Sequence, residues 1–594
     1  MVTNKKIAPL KEPEDLANLL WVYPQEAMDW CQSIVKEFNI HPAIAQVLAS
    51  RGFTSFEAIY HYLYAKLPNL HDPDKLDGMQ PALQRIQRAL ETKESILIYG
   101  DNDVDGMTGA ALLVEFFSLI GNRPHYFIPN RSEINTPILT DALDDLQEKG
   151  CTLVITVDCG ITAFAEIEEL TKKKIDVIVS DHHEPTDKIP LCIGTLNPKL
   201  ANSRYPNRDL TGVGVAFKLA HAMTNFLVAE GKISASQIDL KRFLDLVALG
   251  TVADMGALTD ENRILVRYGL RQFAKTKRIG MLKLLEVCET KPSDVTTNDV
   301  VSKLSPRFNS SGRIAEDPKK GVDLLLTQDA QTARALATEL DENNTQRQLL
   351  ERQDMEIIEQ EMHKNPTLLE QKAIIIHSDQ LHPGIIPIIA TRISKQYHRP
   401  TLIIALKEGI GKGSMRTIPE FPLLSFLRKH PGLMLNFGGH DYAAGLTIEE
   451  KCIPTLKAKL IAEANNMLKS EDTTPKLDLD AYLSFKDLTF DFLESLHLLE
   501  PYGMANSPPI FYTDVKQTWA PKVIGKTHLK LYLEQDGRML EGIGFGLAHC
   551  KKQLSKKNIM LRIAFTPHVN VFLNKSSIQL LVKGFKLQER GRAP

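Results

Sequence analysis

The chain has 594 residues, of which 43% are hydrophobic and 24% are charged, and its formal net charge is -2 at pH 7. This length is too great for one hydrophobic core and predicts about three or four domains, while the composition is typical of a globular protein and excludes long disordered spans. The balanced charge gives no support to a nucleic-acid partner, so any such partner must be bound by a local basic groove.

The cysteines and the N-terminus indicate the compartment. The seven cysteines are scattered and never form a Cys-x-x-Cys pair, which is typical of a reducing compartment and predicts no structural zinc site. No long apolar segment follows residues 1–6, and no run of about 18 apolar residues is evident. We therefore expect a cytoplasmic protein with no membrane contact.

Residues 1–75 predict an N-terminal helical segment, because apolar residues recur there at helical spacing. From 76 to 290, short apolar runs alternate with helical stretches, which predicts a mostly parallel, doubly wound α/β sheet. The runs predicted as strands are 96–99, 125–129, 153–157, 177–180 and 192–196.

An acidic loop follows the first of these strands, with Asp101, Asp103 and Asp105 at alternate positions before a helix predicted over 108–119. In an open α/β sheet, such a loop lies at the carboxyl end of the strand, where ligands bind. Crowded carboxylates are costly to bury unless a cation offsets their charge. A hard divalent metal is one interpretation and a solvated acidic turn is the other. An EF-hand is disfavoured, because its twelfth position would be Leu112 rather than Glu.

Polar residues also end three later apolar runs. Asp158 follows the third predicted strand, the pair His182 and His183 follows the fourth, and Asp254 ends the apolar stretch that begins at residue 245. Each of these alone is explained by a helix cap, a surface position or a turn. Because all four ends are expected at one edge of the sheet, together they predict a shared site.

The remaining sequence divides into three segments. Residues 291–365 predict a connector with a long helix over 325–364, and residues 366–465 predict a second α/β domain with strands at 373–377 and 401–405. Residues 466–594 consist of short alternating runs, which predict an all-β module.

Four motifs in this order resemble the signature motifs of the DHH phosphoesterase superfamily: Asp-Asn-Asp-Val-Asp-Gly (101–106), Val-Asp-Cys-Gly (157–160), Asp-His-His (181–183) and Val-Ala-Asp (252–254). Three further segments are similar to accessory motifs of the RecJ-type single-stranded-DNA exonucleases within it, namely 210–218, 261–263 and 305–313. The resemblance covers nearly the whole chain. It implies a doubly wound DHH domain, joined by the long helix to a second α/β domain of the DHHA1 type, and a C-terminal oligonucleotide-binding (OB) barrel.

The resemblance implies a site for two divalent ions, Mn²⁺ or Mg²⁺, with the ligands Asp103, Asp105, Asp158, His182 and Asp254. Asp101 would belong to the same acidic shell, and His183 would contact the scissile phosphate as an acid or an electrostatic partner. Carboxylates with one imidazole suit these ions better than zinc. Two such ions can activate a water and stabilise the attacking and leaving oxygens, so the implied reaction is phosphodiester hydrolysis.

The same resemblance implies two further sets of residues. The substrate-binding set is Arg131, Arg307, Arg313, Ser414, Arg416, Gly438, Gly439 and His440. Ser414 and Arg416, with Arg131 and Arg313, would form a pocket for the 5′ end of DNA, to which Arg307 is an additional candidate. The glycines would let backbone amides approach a phosphate, although Gly438–Gly439 alone is also explained by a tight turn. The single-strand-binding set in the β module is Tyr502, Lys526, His528 and Lys530, each of which could also be ordinary barrel surface.

The chain departs from the family pattern at two places. Residues 133–137 replace a usual Glu-Gly-Tyr-Gly element beside the expected 5′-end pocket, and Pro387 replaces the glycine of a usual Ile-Gly-Ile. The first change puts strand geometry and rate in question. All five expected metal ligands are present, which favours an active enzyme.

Three functions compete at this point. The leading hypothesis is a 5′-to-3′ exonuclease on single-stranded DNA in repair and recombination, acting as a monomer, with a single-strand-binding protein and a helicase as further partners. The alternatives are a phosphodiesterase for oligoribonucleotides or cyclic dinucleotides, and a non-catalytic replication or repair scaffold. The added N-terminal segment and β module favour the first over the second, and the complete ligand set disfavours the third.

Overall fold

The computed structural model describes residues 19–25, 27–130, 139–314, 317–555, 559–572 and 575–588. Within these residues the chain forms two compact units. The first, here called the parallel-sheet unit, comprises Tyr60–Arg347 and Leu499–Ser507. The second, the mixed-sheet unit, comprises the described parts of Met1–Ile59, Gln348–Leu498 and Pro508–Pro594. The five-segment division predicted above remains a prediction, since it follows the order of motifs rather than compactness.

The N-terminal elements are β1 (Leu20–Val22), α1 (Met28–Phe38), α2 (Pro42–Ser50) and α3 (Phe56–Tyr64). Helix α2 begins with a proline at its first turn, where the missing N–H is not needed, and His41 caps it through Nδ1. Strand β1 pairs in parallel with Lys476–Asp478, and its Trp21 is buried with Leu479. The predicted helical segment therefore also contributes a strand, which a short run without periodicity did not reveal.

The strands of the parallel-sheet unit are β2 (Ser95–Gly100), β3 (His125–Phe127), β4 (Cys151–Val157), β5 (Asp176–Ser180) and β6 (Gly194–Leu196). They are ordered β3-β2-β4-β5-β6, and each neighbouring pair is parallel. Ile96 and Ile98 contact one hydrophobic core, and Leu97 and Tyr99 contact the core on the other face. The predicted doubly wound sheet is confirmed. Its connections change direction between β2 and β4, and ligands bind at such a switch point.

The helices of this unit are α4 (Met79–Glu91), α5 (Val104–Leu119), α6 (Leu143–Glu148), α7 (Phe164–Lys172), α8 (Gly212–Ala229), α9 (Leu244–Ala253), α10 (Asp260–Phe273), α11 (Ile279–Val287), α12 (Thr297–Asp299), α13 (Ser305–Arg313) and α14 (Lys319–Leu326). Helices α5, α8 and α9 are mostly buried. Among the described residues, α8 is long and apolar enough to cross a membrane, contrary to the expectation that no such run exists, but 72% of it is buried inside the protein. It is therefore explained as a core helix.

The unit boundary falls within α15 (Ala330–Lys364), the predicted long helix. The elements that follow are β7 (Ile374–Ser378), α16 (Ile386–Tyr397), β8 (Thr401–Lys407), β9 (Ile410–Arg416), α17 (Leu423–Lys429), β10 (Asn436–His440), β11 (Ala443–Glu449) and α18 (Ile453–Met467). The sheet order is β10-β11-β9-β8-β7, with β7 and β8 parallel and the other pairs antiparallel. Pro387 lies in the first turn of α16, where proline does not break the helical hydrogen bonds, so this departure from the family pattern is compatible with the fold.

The C-terminal elements are β12 (Lys476–Asp478), β13 (Ala481–Tyr482), α19 (Phe490–Ser495), β14 (Phe511–Gln517), β15 (Lys522–Ile524), β16 (His528–Gln535), β17 (Arg538–Gly544), β18 (Ile559–Phe572) and β19 (Lys575–Leu587). The order β13-β14-β18-β19-β17-β16-β15 is closed by an additional pairing of β14 with β16. Along β16, Leu529, Leu531 and Leu533 are fully buried and alternate with more exposed residues. This pattern is typical of a small closed barrel, and the predicted all-β module is confirmed.

Candidate active site

The acidic loop after β2 is shorter than predicted. Asp103 is the N-cap of α5, and its Oδ1 accepts hydrogen bonds from the backbone N–H groups of Asp105 at 3.0 Å and Gly106 at 3.1 Å. The helix therefore begins at Val104 rather than Thr108. The capping interaction explains the error, because an aspartate satisfies the free N–H groups of a first helical turn. Asp105 consequently lies on the helix, while Asp101 and Asp103 precede it.

Asp105 is held rigidly by backbone groups. Its Oδ2 accepts a hydrogen bond from the N–H of Gly212 at 2.6 Å, and its Oδ1 accepts one from the N–H of Val213 at 2.9 Å. Both donors lie at the N-terminus of α8, which favours a negative charge. A Cβ atom on Gly212 would come within 2.5 Å of the Asp158 Cβ, so glycine is required there. The accessory motif at 210–218 thus orients a predicted ligand.

Asp158 and His182 form the centre of the cluster. Asp158 follows β4 in a left-handed conformation with φ of 64°, and its Oδ1 lies 3.0 Å from His182 Nε2. The same Nε2 lies 3.7 Å from an oxygen of Asp254 and 3.9 Å from one of Asp105. Asp254 follows helix α9 rather than a strand. The structure therefore brings together four of the five predicted ligands around one imidazole nitrogen.

The fifth predicted ligand, Asp103, lies outside the two groups of close ligand atoms, although its charge still acts on the other carboxylates. Among the described residues, two groups place ligand atoms within 4.8 Å of one another, Asp158 with His182 and His183, and Asp105 with His182 and Asp254. Asp103 belongs to neither group, and the contribution of its charge is to raise the pKa of Asp105, Asp158 and Asp254. Its role as a ligand stays a prediction.

The carboxylates repel one another strongly. Burial, followed by the charges of nearby aspartates, raises the pKa of Asp105 and of Asp158 well above its ordinary range. The same two causes raise the pKa of Asp254 to about 7. A divalent cation would offset this repulsion and keep all three groups ionised.

The donor set fits a hard cation. Asp158 Oδ1 is buried and makes no hydrogen bond within the described part of the chain, although His182 Nε2 lies 3.0 Å away. A buried carboxylate oxygen without a hydrogen bond, facing an imidazole nitrogen, fits a shared metal ion. Carboxylate oxygens with one imidazole suit Mn²⁺ or Mg²⁺.

Asp181 orients a predicted site residue, and the sequence did not single it out. Its Oδ1 lies 2.8 Å from His183 Nδ1 and accepts hydrogen bonds from the N–H groups of His182 and His183, and its Oδ2 accepts one from Ile161. Burial alone would lower the pKa of His183, but the hydrogen bond and charge of Asp181 outweigh it and raise the pKa to about 9. The raised pKa favours the cationic imidazole, which suits contact with a phosphate. The position of Asp181 directly before the histidine pair was the sequence feature that could have identified it.

A buried ion pair supports the N-terminal half of α8. Lys218 and Glu261 are fully buried, and Lys218 Nζ lies 2.7 Å from Glu261 Oε1. Glu261 also accepts hydrogen bonds from the Tyr205 hydroxyl and from the N–H of His71. Burial lowers the pKa of Lys218, although Glu261 opposes that shift. The Lys218–Glu261 ion pair therefore stabilises the fold around the site, while Gly212 and Val213 of the same accessory motif orient Asp105.

The predicted substrate-binding residues fall in both units, each described within its own. In the mixed-sheet unit, Arg416 donates hydrogen bonds to Thr391 Oγ1 at 3.1 Å and Ser414 Oγ at 2.9 Å. Gly438 and Gly439 are exposed on β10, the edge strand of its sheet. Gly439 has φ of 141°, and a Cβ there would come within 2.3 Å of a backbone oxygen, so glycine is required. His440 ends the same strand and is exposed.

The structure treats the other three predicted arginines, Arg131, Arg307 and Arg313, differently. In the parallel-sheet unit, Arg307 donates to Asp341 and to the carbonyl of Lys303, so the structure gives it a structural partner and its substrate role stays a prediction. The backbone of Arg313 ends α13, but its side chain is outside the described atoms. Arg131 and the altered segment 133–137 lie outside the described residues.

The four predicted single-strand-binding residues are divided between the units. Tyr502 belongs to Leu499–Ser507, which lies in the parallel-sheet unit rather than in the barrel. Arg263 and Arg267 hold this segment by hydrogen bonds to the carbonyls of Leu499 and Glu500. Lys526, His528 and Lys530 lie in the barrel at partly or fully exposed positions, as predicted.

Comparison with known proteins agrees with this architecture. Three family models match, namely the DHH family N-terminal domain over residues 95–251, the DHHA1 domain over 370–469 and the RecJ OB domain over 479–584. The single-stranded-DNA-specific exonuclease RecJ of Bacillus subtilis is 31% identical over 96% of this chain and 71% of its own length. The RecJ of Dickeya dadantii is 33% identical over 91% of this chain and 96% of its own length.

Solved structures agree as well. The crystal structure of RecJ from Thermus thermophilus in complex with Mn²⁺ matches with a TM-score of 0.81 and 28% identity, over 97% of this chain and 81% of that one. The Mg²⁺ complex from the same organism matches with a TM-score of 0.74 and 26% identity, over 96% of this chain and 79% of that one. With the shared motifs and domain order, these matches establish that the chain belongs to the RecJ family of the DHH phosphoesterase superfamily.

Proposed function

We propose that this chain is a divalent-metal-dependent exonuclease that hydrolyses single-stranded DNA from the 5′ end, in DNA repair and recombination. The observation that carries the proposal is the convergence of Asp105, Asp158 and Asp254 on His182 Nε2, at the switch point of a doubly wound sheet. The relatives at 31–33% identity are named single-stranded-DNA-specific exonucleases.

The residues of the site have separate roles in the proposed reaction. Asp105, Asp158, His182 and Asp254, with Asp103, would hold two divalent ions, which supply a nucleophile at neutral pH and stabilise the oxygens of an in-line displacement. Backbone N–H groups of Gly212 and Val213 keep Asp105 oriented before substrate arrives. The cationic His183, fixed by Asp181, would contact the scissile phosphate and stabilise its developing charge.

The deciding experiment follows hydrolysis of single strands labelled at either end, with Mn²⁺, Mg²⁺ or chelator. We expect metal-dependent release of nucleotides from the 5′ end, and much slower cleavage of duplex DNA, dinucleotides and cyclic dinucleotides. Release from the 3′ end would refute the proposed polarity. Activity restricted to dinucleotides would refute the proposed substrate, and binding without hydrolysis under every metal condition would indicate a scaffold.

Polarity requires recognition of one strand end, because a metal cluster does not distinguish the two sugars that flank a phosphate. Arg416 and Ser414 are the candidates with a described geometry. The Arg416 guanidinium is oriented by Thr391 and Ser414, and a planar fork of this kind matches the oxygens of a terminal phosphate. The exposed glycine strand β10 would offer backbone N–H groups to the same phosphate.

Arg416→Ala is expected to reduce the preference for a 5′-phosphate over a 5′-hydroxyl, because it removes a charged hydrogen bond of about 1.5–3 kcal/mol. Rates of the first cleavage on both substrates measure the preference. Arg428→Ala, at an exposed arginine of the same unit, is the control and should retain it. The same loss is predicted for Arg313→Ala. An Arg416→Ala enzyme that discriminates the two ends as well as wild type would contradict this assignment.

We propose that one face of the barrel binds the strand. Trp519 is 55% exposed, and its ring centroid lies 5.2 Å from that of Tyr532. The Nζ atoms of Lys522 and Lys530 lie 5.9 Å and 5.6 Å from the centre of the Tyr532 ring. Bases stack on such rings and lysines attract the backbone phosphates. The aromatic members were missed because they are 13 residues apart in the sequence: Trp519 lies in the loop between β14 and β15 and meets Tyr532 of β16 only in the folded chain.

Tyr532→Ala is expected to weaken single-strand binding by about 1–3 kcal/mol, because it removes a stacking surface. Tyr532→Phe keeps the ring and should bind as wild type does. Lys522→Ala should lower the slope of log K against log salt by about 1, whereas Lys575→Ala, an exposed lysine on β19, should not. Fluorescence anisotropy with labelled strands in chelator measures both quantities. Equal affinity of Tyr532→Ala and wild type would exclude this face.

Partners and location complete the proposal. The barrel face just described supports single-stranded DNA as the principal partner. A monomeric state is proposed with it, and a cytoplasmic location is proposed because the seven cysteines are scattered as in proteins of a reducing compartment. A single-strand-binding protein and a strand-separating helicase are proposed as further partners, because an enzyme restricted to single strands requires a supply of them. Size measurement by light scattering in solution tests the monomeric state.

A further inference from the structure

The end of helix α9 places an unusual residue beside the candidate metal site. The N–H of Met255 donates to the Val252 carbonyl at 3.3 Å, and the N–H of Gly256 donates to the Thr251 carbonyl at 2.9 Å. Met255 itself is left-handed, with φ of 58°. Helices commonly end with glycine at this position, because glycine adopts the left-handed conformation without steric cost. Met255 therefore keeps a side chain where the backbone favours none.

Packing does not explain that side chain. Of the described non-glycine residues with positive φ, two carry large apolar side chains, Leu139 and Met255. Leu139 is fully buried, so its packing offsets the strain, whereas Met255 is 54% exposed. Other exposed left-handed residues, such as Lys93, Lys174 and Glu289, carry polar side chains, so Met255 is distinguished by an exposed apolar side chain next to Asp254.

The position of Met255 relative to the cluster is fixed on both sides. It directly follows Asp254, whose Oδ2 lies 3.7 Å from His182 Nε2, and consecutive Cα atoms are about 3.8 Å apart. A Cβ on Gly250 would come within 2.8 Å of Asp105 Oδ1, and a Cβ on Gly256 within 2.5 Å of Thr211 Cγ2. The end of α9 is thus packed tightly against Asp105 and Thr211.

We propose that Met255 is a substrate-contacting residue whose side chain packs against the base of the nucleotide being released and holds the strand in register with the metal site. This inference rests on the proposed function. A thioether is uncharged, polarizable and flexible, so it contacts the face of any base without selecting a sequence. A cationic side chain there would compete with the metal ions, and an acidic one would repel the phosphates.

The test compares Met255→Gly with Met255→Leu. For Met255→Gly we expect an unchanged or higher Tm, because backbone strain is relieved, together with a threefold to tenfold lower kcat/KM on single strands. This range corresponds to the loss of one apolar contact with the base, about 0.7–1.4 kcal/mol. Met255→Leu, of similar volume, should remain within about twofold of wild type in kcat/KM. A lower Tm for Met255→Gly would indicate an ordinary structural role and overturn the inference.

A second substrate isolates the base contact. On strands whose first three 5′ nucleotides lack bases, Met255→Gly and wild type should release the first nucleotide at rates within twofold of each other. An equal deficit of the variant on normal and base-free strands, or equal rates on normal strands, would overturn the inference. Wild-type protein that hydrolyses no single strand would instead refute the proposed function, so the two failures are distinguishable.

Discussion

Asp158→Ala is expected to lower hydrolysis of single-stranded DNA by roughly three orders of magnitude, equal to about 4 kcal/mol of transition-state stabilisation. The side chain is 2% exposed and its Oδ1 lies 3.0 Å from His182 Nε2, so the variant loses a charged ligand at the centre of the site, and a neutral water would not restore that charge. Single-turnover rates with saturating Mn²⁺ measure the loss.

The same variant should separate metal binding from folding. Removing a buried carboxylate whose pKa is raised by burial and crowding relieves repulsion, so the Tm in chelator should be unchanged or higher than that of wild type. The increase in Tm that Mn²⁺ produces in wild type should shrink strongly, because binding to the folded state is weakened. Asp144→Ala, at an exposed aspartate of the same unit, should alter neither quantity. Near-wild-type hydrolysis by Asp158→Ala, or full activity of wild type in excess chelator, would disprove the metal mechanism.

Lys218→Met is expected to destabilise the parallel-sheet unit by about 3–5 kcal/mol, because it leaves the fully buried Glu261 carboxylate without its charged partner. Two further donors, from Tyr205 and His71, remain and do not neutralise the charge. Urea unfolding followed by circular dichroism measures the shift in midpoint.

The control for this prediction is an exposed ion pair in the same unit. Lys232 and Glu91 lie 3.2 Å apart and are about half exposed, so Lys232→Met should cost less than about 1 kcal/mol. Replacing both buried partners, as Lys218→Met with Glu261→Gln, should recover part of the stability because no unpaired charge remains. If Lys218→Met cost no more than Lys232→Met, the buried pair would not stabilise the fold.

The predictable part of the site consists of residues that end apolar runs. Asp105, Asp158 and His182 were identified because each follows a strand of one parallel sheet, and parallel strands bring their carboxyl ends to one edge. Asp254 was expected at a similar strand end but follows helix α9, since an apolar run of ten residues does not by itself distinguish a buried helix from a strand. Asp181 was passed over because its function is to orient a neighbour, which requires knowledge of the His183 hydrogen bond.

The amino-acid sequence by itself determined the order of domains, the doubly wound sheet, the all-β module and the chemical character of the candidate metal ligands, because apolar periodicity and short motifs are local properties. Only the tertiary structure decided which groups orient those ligands. Residues far apart in the chain meet in the hydrogen bonds from Gly212 and Val213 to Asp105 and in the ion pair of Lys218 with Glu261. The exposed, left-handed Met255 likewise depends on how α9 ends. Such relations depend on packing and backbone geometry, which local sequence patterns do not reveal.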